Sequence, residues 1–210
     1  MTPSRTVAAC NLVTDLLQRL LEAGTTTNLI VCGTRSEFLV QLSAAISTQR
    51  ADAEPPVPND LLTKTIGLLA KSSRIRLTFC PSLEILRAYL AILPRDIEAQ
   101  DSGPLPLLAI LDLVALHVPT SEFAAQGLSR TFASAVEAAA RAGMDLVLFE
   151  CTNAVNPSSA EWGPLLWDTE VPLLDGSVRI RGEEGNWGGR GIGVKKVAQR
   201  WFTFEQAMES

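Results

Sequence analysis

Two carboxylates directly follow apolar runs typical of buried strands. Asp112 comes after Leu107–Leu111, and Glu150 comes after Leu146–Phe149. If these strands are neighbours in a parallel sheet, both carboxylates lie at its carboxyl edge, where α/β proteins bind ligands. A carboxylate pair could hold a metal ion or transfer protons there. The alternative is a structural role within the fold, which we expect because the sequence has no phosphate loop to accompany the pair.

Two polar side chains, Thr152 and Asn153, follow Glu150 after one cysteine. They could position a DNA-contacting loop beyond the strand. They could also cap the sheet edge and turn the chain, as Thr and Asn do in many proteins.

A strand predicted at Asn28–Cys32 runs into Gly33, Thr34, Arg35, Ser36 and Glu37. A phosphate loop of the pattern GxxxxGK[ST] needs glycines for close backbone approach and a lysine for the phosphates. This segment has one glycine and no lysine, and Glu37 would place a negative charge where a phosphate should sit. We therefore predict a degenerate nucleotide site made of Gly33 to Ser36 and Asp112, with no catalytic residue, metal or cofactor. A weak NTPase that uses Asp112 is the enzymatic alternative.

Between Arg179 and Arg200 the chain has six basic residues and only two acidic ones, Glu183 and Glu184. They could form a stripe of phosphate contacts on neighbouring strands, or they could be a solvated strand face. The six residues are Arg179, Arg181, Arg190, Lys195, Lys196 and Arg200.

Three tryptophans, Trp162, Trp167 and Trp187, fall in predicted loops. Tryptophan combines a large apolar area with a polar N–H, so these residues are candidate anchors of a protein interface. Stacking on single-stranded bases and packing onto their own domain are the alternatives. The chain has one histidine and four widely spaced cysteines, which we expect to be buried reduced thiols.

Hydrophobic periodicity supplies the elements that position these residues. The long glycine-rich segment 182–193 is read as a hairpin connection, and 61–69 as a short helix or irregular segment. Alternating β and α segments followed by strands alone predict an α/β fold with a mainly parallel sheet flanked by helices and antiparallel C-terminal strands. Helices are predicted at 7–23, 38–46, 83–93 and 121–142, and strands at 28–32, 74–80, 107–116, 146–151, 177–181, 191–197 and 201–204.

Composition limits the classes of function. The chain has 210 residues, 47% of them hydrophobic, which suits one domain with a full core. Its net charge of −5 argues against bulk binding of nucleic acid, so any such contact must be local or made through a partner. We expect no signal peptide, since the first residues are not apolar, and no membrane span, since no apolar run is long enough.

This order of elements, with these residues at the strand ends, resembles the core of RecA-like recombinases, and it is most similar to paralogs that lack the phosphate loop. Leu107–Asp112 resembles the Walker B strand, and Thr152–Val155 resembles a Thr-Asn-Gln-Val signature with Ala154 in place of the glutamine. Trp201–Phe204 resembles the closing strand. The resemblance implies one RecA-like domain over 1–210, with an N-terminal helix at 1–24 and a core at 25–205.

The resemblance also implies a function. Paralogs of this kind, such as the subunits of Shu-type complexes, are non-catalytic members of heteromeric complexes that assist recombinase assembly in homologous recombination repair. The expected partners are another RecA-like subunit and single-stranded or forked DNA, the expected location is the nucleus, and no membrane contact is expected. The alternative is a structural RecA-like subunit of an Elongator-type transfer-RNA modification complex in the cytoplasm.

Overall fold

The structure is a computed structural model that describes residues 3–52, 60–63, 65–94, 104–174 and 191–205. The strand predicted at 177–181 and most of the glycine-rich segment lie outside the described residues.

A six-stranded sheet forms the centre of the molecule, in the order β3-β2-β4-β5-β1-β8, with every neighbouring pair parallel. Two further strands, β6 and β7, form a small antiparallel pair. The strands are β1 Arg5–Val7, β2 Thr27–Val31, β3 Ile75–Phe79, β4 Leu107–Leu111, β5 Asp145–Phe149, β6 Glu170–Val171, β7 Ile192–Gly193 and β8 Thr203–Phe204.

Helices cover both faces of the sheet. The first three α-helices pack together on one face, while α4, α6 and α7 pack together on the other. The predicted fold class, an α/β protein with a mainly parallel sheet flanked by helices and an antiparallel addition near the C-terminus, is confirmed. The helices are α1 Val13–Ala23, α2 Arg35–Asp52, α3 Ile66–Ser72, α4 Leu83–Ile92, α5 Leu113–His117, α6 Ala125–Ala142 and α7 Val194–Ala198, with 3₁₀ turns at Asp60–Leu62 and Pro164–Asp168.

The central strands β2 and β4 are buried over nearly their whole length because both of their faces are covered. In β2, Leu29 and Val31 belong to the core beneath α1 and α2, whereas Ile30 belongs to the core beneath α4 and α6. All five residues of β2 are buried. The same alternation in β4 places Ala109 on the first face and Ile110 on the second.

The predicted N-terminal helix at 1–24 is wrong at its beginning. Arg5–Val7 form β1, which pairs with β5 on one side and with β8 on the other, and the helix begins only at Val13. The sheet therefore includes a strand upstream of the predicted core at 25–205. Three residues are too few to show a strand period, and the leucine-rich helical pattern beyond them extended the prediction backwards. The helix ends at Gly24 as predicted, with a left-handed φ of 64°.

Two predicted strands are also corrected. The strand predicted at 107–116 ends at Leu111, because Asp112 adopts a left-handed φ of 61° and turns the chain into α5. The strand predicted at 191–197 is only β7 followed by α7, and the closing strand β8 runs parallel to β1. The antiparallel addition is therefore the separate β6–β7 pair. Across the described ranges, no helix is both long enough and apolar enough to cross a membrane.

Candidate functional site

A crevice lies at the carboxyl ends of β2 and β4. The chain leaves β2 towards β3 on one side and leaves β4 towards β5 on the other, so these two ends form a topological switch point, where ligands of α/β sheets bind. The structure brings several predicted site residues together there, and it leaves Arg35 and Ser36 exposed on the first turn of α2. The predicted residues lining the crevice are Gly33, Thr34, Asp112, Thr152, Asn153 and Trp162.

The crevice is almost filled by the protein itself. Its free volume is about 30 Å³, which is room for one or two water molecules. Gln41 of α2 closes it by donating from Nε2 to Asn153 Oδ1 at 2.7 Å and accepting at Oε1 from the backbone N–H of Ala154 at 2.8 Å. Sequence reasoning missed Gln41, because nothing in the spacing joins it to a loop more than a hundred residues away.

Glu37 occupies the N-terminus of α2. Its Oε2 accepts hydrogen bonds from the backbone N–H of Thr34 at 2.8 Å and from the Thr34 hydroxyl at 2.7 Å, while the Glu37 N–H donates back to Thr34 Oγ1 at 3.2 Å. This is a capping box. The hydrogen bonds from Thr34 lower the pKa of Glu37, so its charge is stabilised. The Glu37 carboxylate thus accepts a hydrogen bond at the helix N-terminus, the position at which a phosphate would bind.

Asp112 follows β4 and accepts a hydrogen bond from the segment after β5, while Glu150 follows β5 and accepts hydrogen bonds from the segment after β4. We call this arrangement the carboxylate clasp. Asp112 Oδ1 accepts from the backbone N–H of Cys151 at 3.0 Å. Glu150 accepts from the backbone N–H of Val114 at 2.6 Å and from that of Ala115 at 3.3 Å. Both side chains are buried. The clasp joins the ends of β4 and β5, which the sequence predicted to be neighbours.

Burial controls the protonation of the clasp. Loss of solvation raises the pKa of Asp112 to about 7, against the hydrogen bond from Cys151, which lowers it. Burial, followed by the charge of Asp112, raises the pKa of Glu150 well above its usual value, despite hydrogen bonds from Val114 and Ala115. Burial thus favours the protonated form of both groups, which titrate as a coupled pair. In the described part of the chain, no group of three or more His, Cys, Asp or Glu side chains is placed to hold a metal ion.

Thr152 and Asn153 organise the loop that follows β5. The Thr152 N–H donates to the carbonyl of Asn11 at 2.8 Å, which ties the loop to the segment between β1 and α1. Asn153 Oδ1 accepts from the N–H groups of Val155 and Asn156, both at 2.9 Å, and turns the chain. The structural reading of both residues therefore has direct support, and their contact with DNA stays a prediction.

The tryptophans lie in different environments. Trp167 is only 7% exposed and packs edge-on against Phe204, with ring centroids 5.3 Å apart. Its predicted role as an interface anchor is wrong, because the ring belongs to the core of its own domain. Trp162 is half-buried at the crevice, and Trp187 lies outside the described residues.

The described basic candidates do not form a strand stripe. Lys195 and Lys196 are exposed on α7, and Arg200 is exposed in the turn that follows. This placement replaces the predicted strand face with a short helix and a turn. The other three, Arg179, Arg181 and Arg190, lie outside the described residues.

The only histidine and the four cysteines are interior residues. His117 is buried, and its ring nitrogens lie 3.2 Å from the carbonyl of Glu122 and 3.1 Å from Thr131 Oγ1. All four cysteines are buried and free, as predicted. Burial raises the pKa of Cys32 well above its usual value, which keeps this thiol protonated and unreactive.

Fold and site together define an α/β protein whose switch-point crevice is closed by its own side chains. The family model described as SPAC22G7.03-like matches residues 3–157, and the chain belongs to that family. The matched segment runs from before β1 to beyond β5 and includes both residues of the carboxylate clasp. No curated protein matches the chain.

Proposed function

We propose that this protein is a non-catalytic RecA-like subunit of a heteromeric complex that assists recombinase assembly on DNA in homologous recombination. The main support for a non-catalytic role is the closed crevice of about 30 Å³ at the switch point. A nucleotide bound at this edge would need a cavity on the order of ten times larger.

Two further features support the absence of nucleotide chemistry. Glu37 satisfies the terminus of α2 with a negative charge, which repels the phosphates that this position would otherwise attract. The carboxylates of the clasp already accept hydrogen bonds from backbone N–H groups, and burial favours their protonated forms, so they are poor ligands for Mg²⁺. A subunit without nucleotide chemistry contributes to its complex by binding partner proteins and DNA.

The proposed partner is a second RecA-like subunit, and the proposed location is the nucleus. DNA contact within the complex is assigned to Thr152, Asn153 and the basic residues near the C-terminus, of which Lys195, Lys196 and Arg200 are exposed. The protein has a net charge of −5, so these residues would add a local contact to DNA that is held mainly by the partner.

Affinity capture from native extract tests the proposal. The bound proteins are identified by mass spectrometry, and the purified complex is titrated with single-stranded and forked DNA at low salt. We expect a second RecA-like protein together with recombination factors, and weaker DNA binding when Lys195 and Lys196 are both replaced by Glu. A complex without measurable DNA affinity at low salt would refute the recombination role.

The alternative is a structural subunit of an Elongator-type transfer-RNA modification complex. It is favoured by the acidic pI of about 5.0 and by the lack of a distinct basic arm. Mass measured by light scattering separates the two proposals, because a ring of related subunits is much heavier than a heterodimer. Recovery of transfer-RNA-modifying proteins in the capture experiment would favour this second proposal.

A further inference from the structure

One edge of the sheet is formed by β3, which in the described ranges pairs only with β2. Arg74 and Cys80, which flank the strand, both direct backbone hydrogen bonds to β2, through the Arg74 carbonyl and the Cys80 N–H. Alternate residues of a parallel strand bond to the same neighbour, so the backbone groups of Ile75, Leu77 and Phe79 face away from β2. Such an edge is a template for a further strand.

An apolar groove adjoins this edge. It has a volume of about 300 Å³ and lies between α1, α2, α3 and β3, with a lining of leucines and isoleucines and a single serine, Ser72. None of the residues of α3 is buried, and Ile66 and Leu69 on that helix are 87% and 66% exposed. Leu77 of β3 is 41% exposed at the same groove. A contiguous apolar surface of this kind marks an interaction site.

The segment from Leu61 to Leu83, which includes α3 and β3, has a charge opposite to that of the whole protein. From Leu61 to Leu83 the sequence contains no Asp or Glu, while the protein carries a net charge of −5. The described cations of this stretch, Lys71, Arg74 and Arg76, are all exposed. A second copy of the chain would bring the same cations face to face in a two-fold interface, which disfavours self-association here.

We propose that the β3 edge binds an extended segment of a partner protein in which apolar and acidic residues alternate. This inference rests on the proposed function, in that it assigns the surface through which the subunit is held. A strand added beside β3 projects every second side chain towards the groove, where Leu77 and Leu69 would cover apolar residues. The intervening side chains lie on the face of Arg76, where acidic residues pair with its guanidinium.

The first experiment uses a short fluorescein-labelled peptide of alternating valine and glutamate, titrated into the full-length protein and followed by fluorescence anisotropy. A peptide with lysine in place of every glutamate is the matched probe. We expect saturable binding of the acidic peptide and none of the basic one. Equal binding of both peptides, or binding of neither, would overturn the proposal.

Substitutions on the exposed edge locate the binding. Arg76→Glu should weaken the acidic peptide at least about tenfold by replacing attraction with repulsion, whereas Arg76→Lys retains the charge and should retain binding. Leu69→Glu on α3 should also weaken binding. Because Leu69 is exposed, this substitution should leave the fold intact. Thermal melting verifies that each variant is folded. Unchanged affinity in both Arg76→Glu and Leu69→Glu would contradict the assigned surface.

Two outcomes separate this inference from the proposed function. If a captured partner binds Arg76→Glu as tightly as the parent protein, the β3 proposal fails and the role as a subunit stands. If a single-stranded oligonucleotide displaces the peptide and its own binding depends on Arg76, the edge is a nucleic-acid site and the proposal is overturned.

Discussion

Asp112 and Glu150 hold each other's strands: Asp112 accepts the N–H of Cys151 after β5, and Glu150 accepts the N–H of Val114 after β4. The two carboxylates at the carboxyl edge thus serve as acceptors for the turns beside them. Reciprocal bonding of this kind fixes the two strand ends relative to each other and leaves neither carboxylate directed at a ligand.

The clasp predicts a pH dependence of stability. A carboxyl group with a folded pKa of about 7 and an unfolded pKa of about 3.9 binds its proton more tightly in the folded state. Its stabilising contribution is complete below pH 4 and is lost as the pH rises to about 7. Measured by urea titration relative to Asp112→Asn, the free energy of unfolding should therefore fall between these pH values. The comparison removes the opposite contributions of Glu37 and Glu122, whose pKa values are lowered. A difference that rises with pH over this window would contradict the assigned protonation.

Replacement of Asp112 by Asn tests the same residue without disturbing the backbone. Asn tolerates the left-handed φ of 61°, and its amide oxygen can accept the Cys151 N–H. Asp112→Asn should therefore retain the fold and reduce the decline of stability between pH 4 and 7. Asp112→Ala loses both the acceptor and the left-handed preference, and it should cost about 2–4 kcal/mol. Equal losses in the two variants would refute this role.

Glu150 should be more important for stability than an exposed carboxylate. Glu150→Ala leaves the N–H groups of Val114 and Ala115 buried without acceptors and should cost about 2–4 kcal/mol in urea unfolding. Glu150→Gln keeps one acceptor for Val114 and should cost about half as much. If Glu150→Ala left the free energy of unfolding unchanged or raised it, the clasp would have no structural role.

Gln41 is predicted to close the crevice. Gln41→Ala removes the bonds to Asn153 and to the Ala154 N–H, so the loop after Asn153 should open more easily. Amide hydrogen exchange at Ala154 should accelerate by about tenfold, which corresponds to one hydrogen bond of about 1.4 kcal/mol. Gln18→Ala, which removes only an exposed bond on α1, is the control and should leave this exchange unchanged.

Trp167 is predicted to stabilise the domain itself. Trp167→Ala empties a core position beside Phe204 and should cost about 3–5 kcal/mol. Trp162→Ala, at a half-buried position, should cost less. If Trp167→Ala left the melting temperature unchanged and weakened only partner binding, its role as an interface anchor would be restored.

Much of the fold could be predicted from the sequence, because the long elements carry strong patterns. The periodic leucines of α4 lie where they were expected, β4 begins at Leu107 as predicted, and Gly143 ends α6 with a φ of 71°. Short elements escaped prediction: β1 has three residues, and α7 begins with the β-branched Val194, which favours strands in isolation.

The candidate site was predictable only in part. Asp112 and Glu150 follow neighbouring strands, so their proximity follows from the parallel sheet. Their hydrogen-bond partners depend on the left-handed turn at Asp112, for which an Asp residue alone is a weak signal. The contact of Gln41 with Asn153 joins a helix to a distant loop, and no local pattern encodes such a pair.

The central claim is that the switch-point crevice binds no nucleotide, and a thermal-shift titration with millimolar Mg-ATP tests it most directly. We predict no change in melting temperature for the purified protein. A nucleotide present at about 100 times its dissociation constant would stabilise the protein by about 2.7 kcal/mol and raise the melting temperature by several degrees. A shift of that size, abolished by Asp112→Asn, would contradict the account and return the protein to the class of nucleotide-binding enzymes.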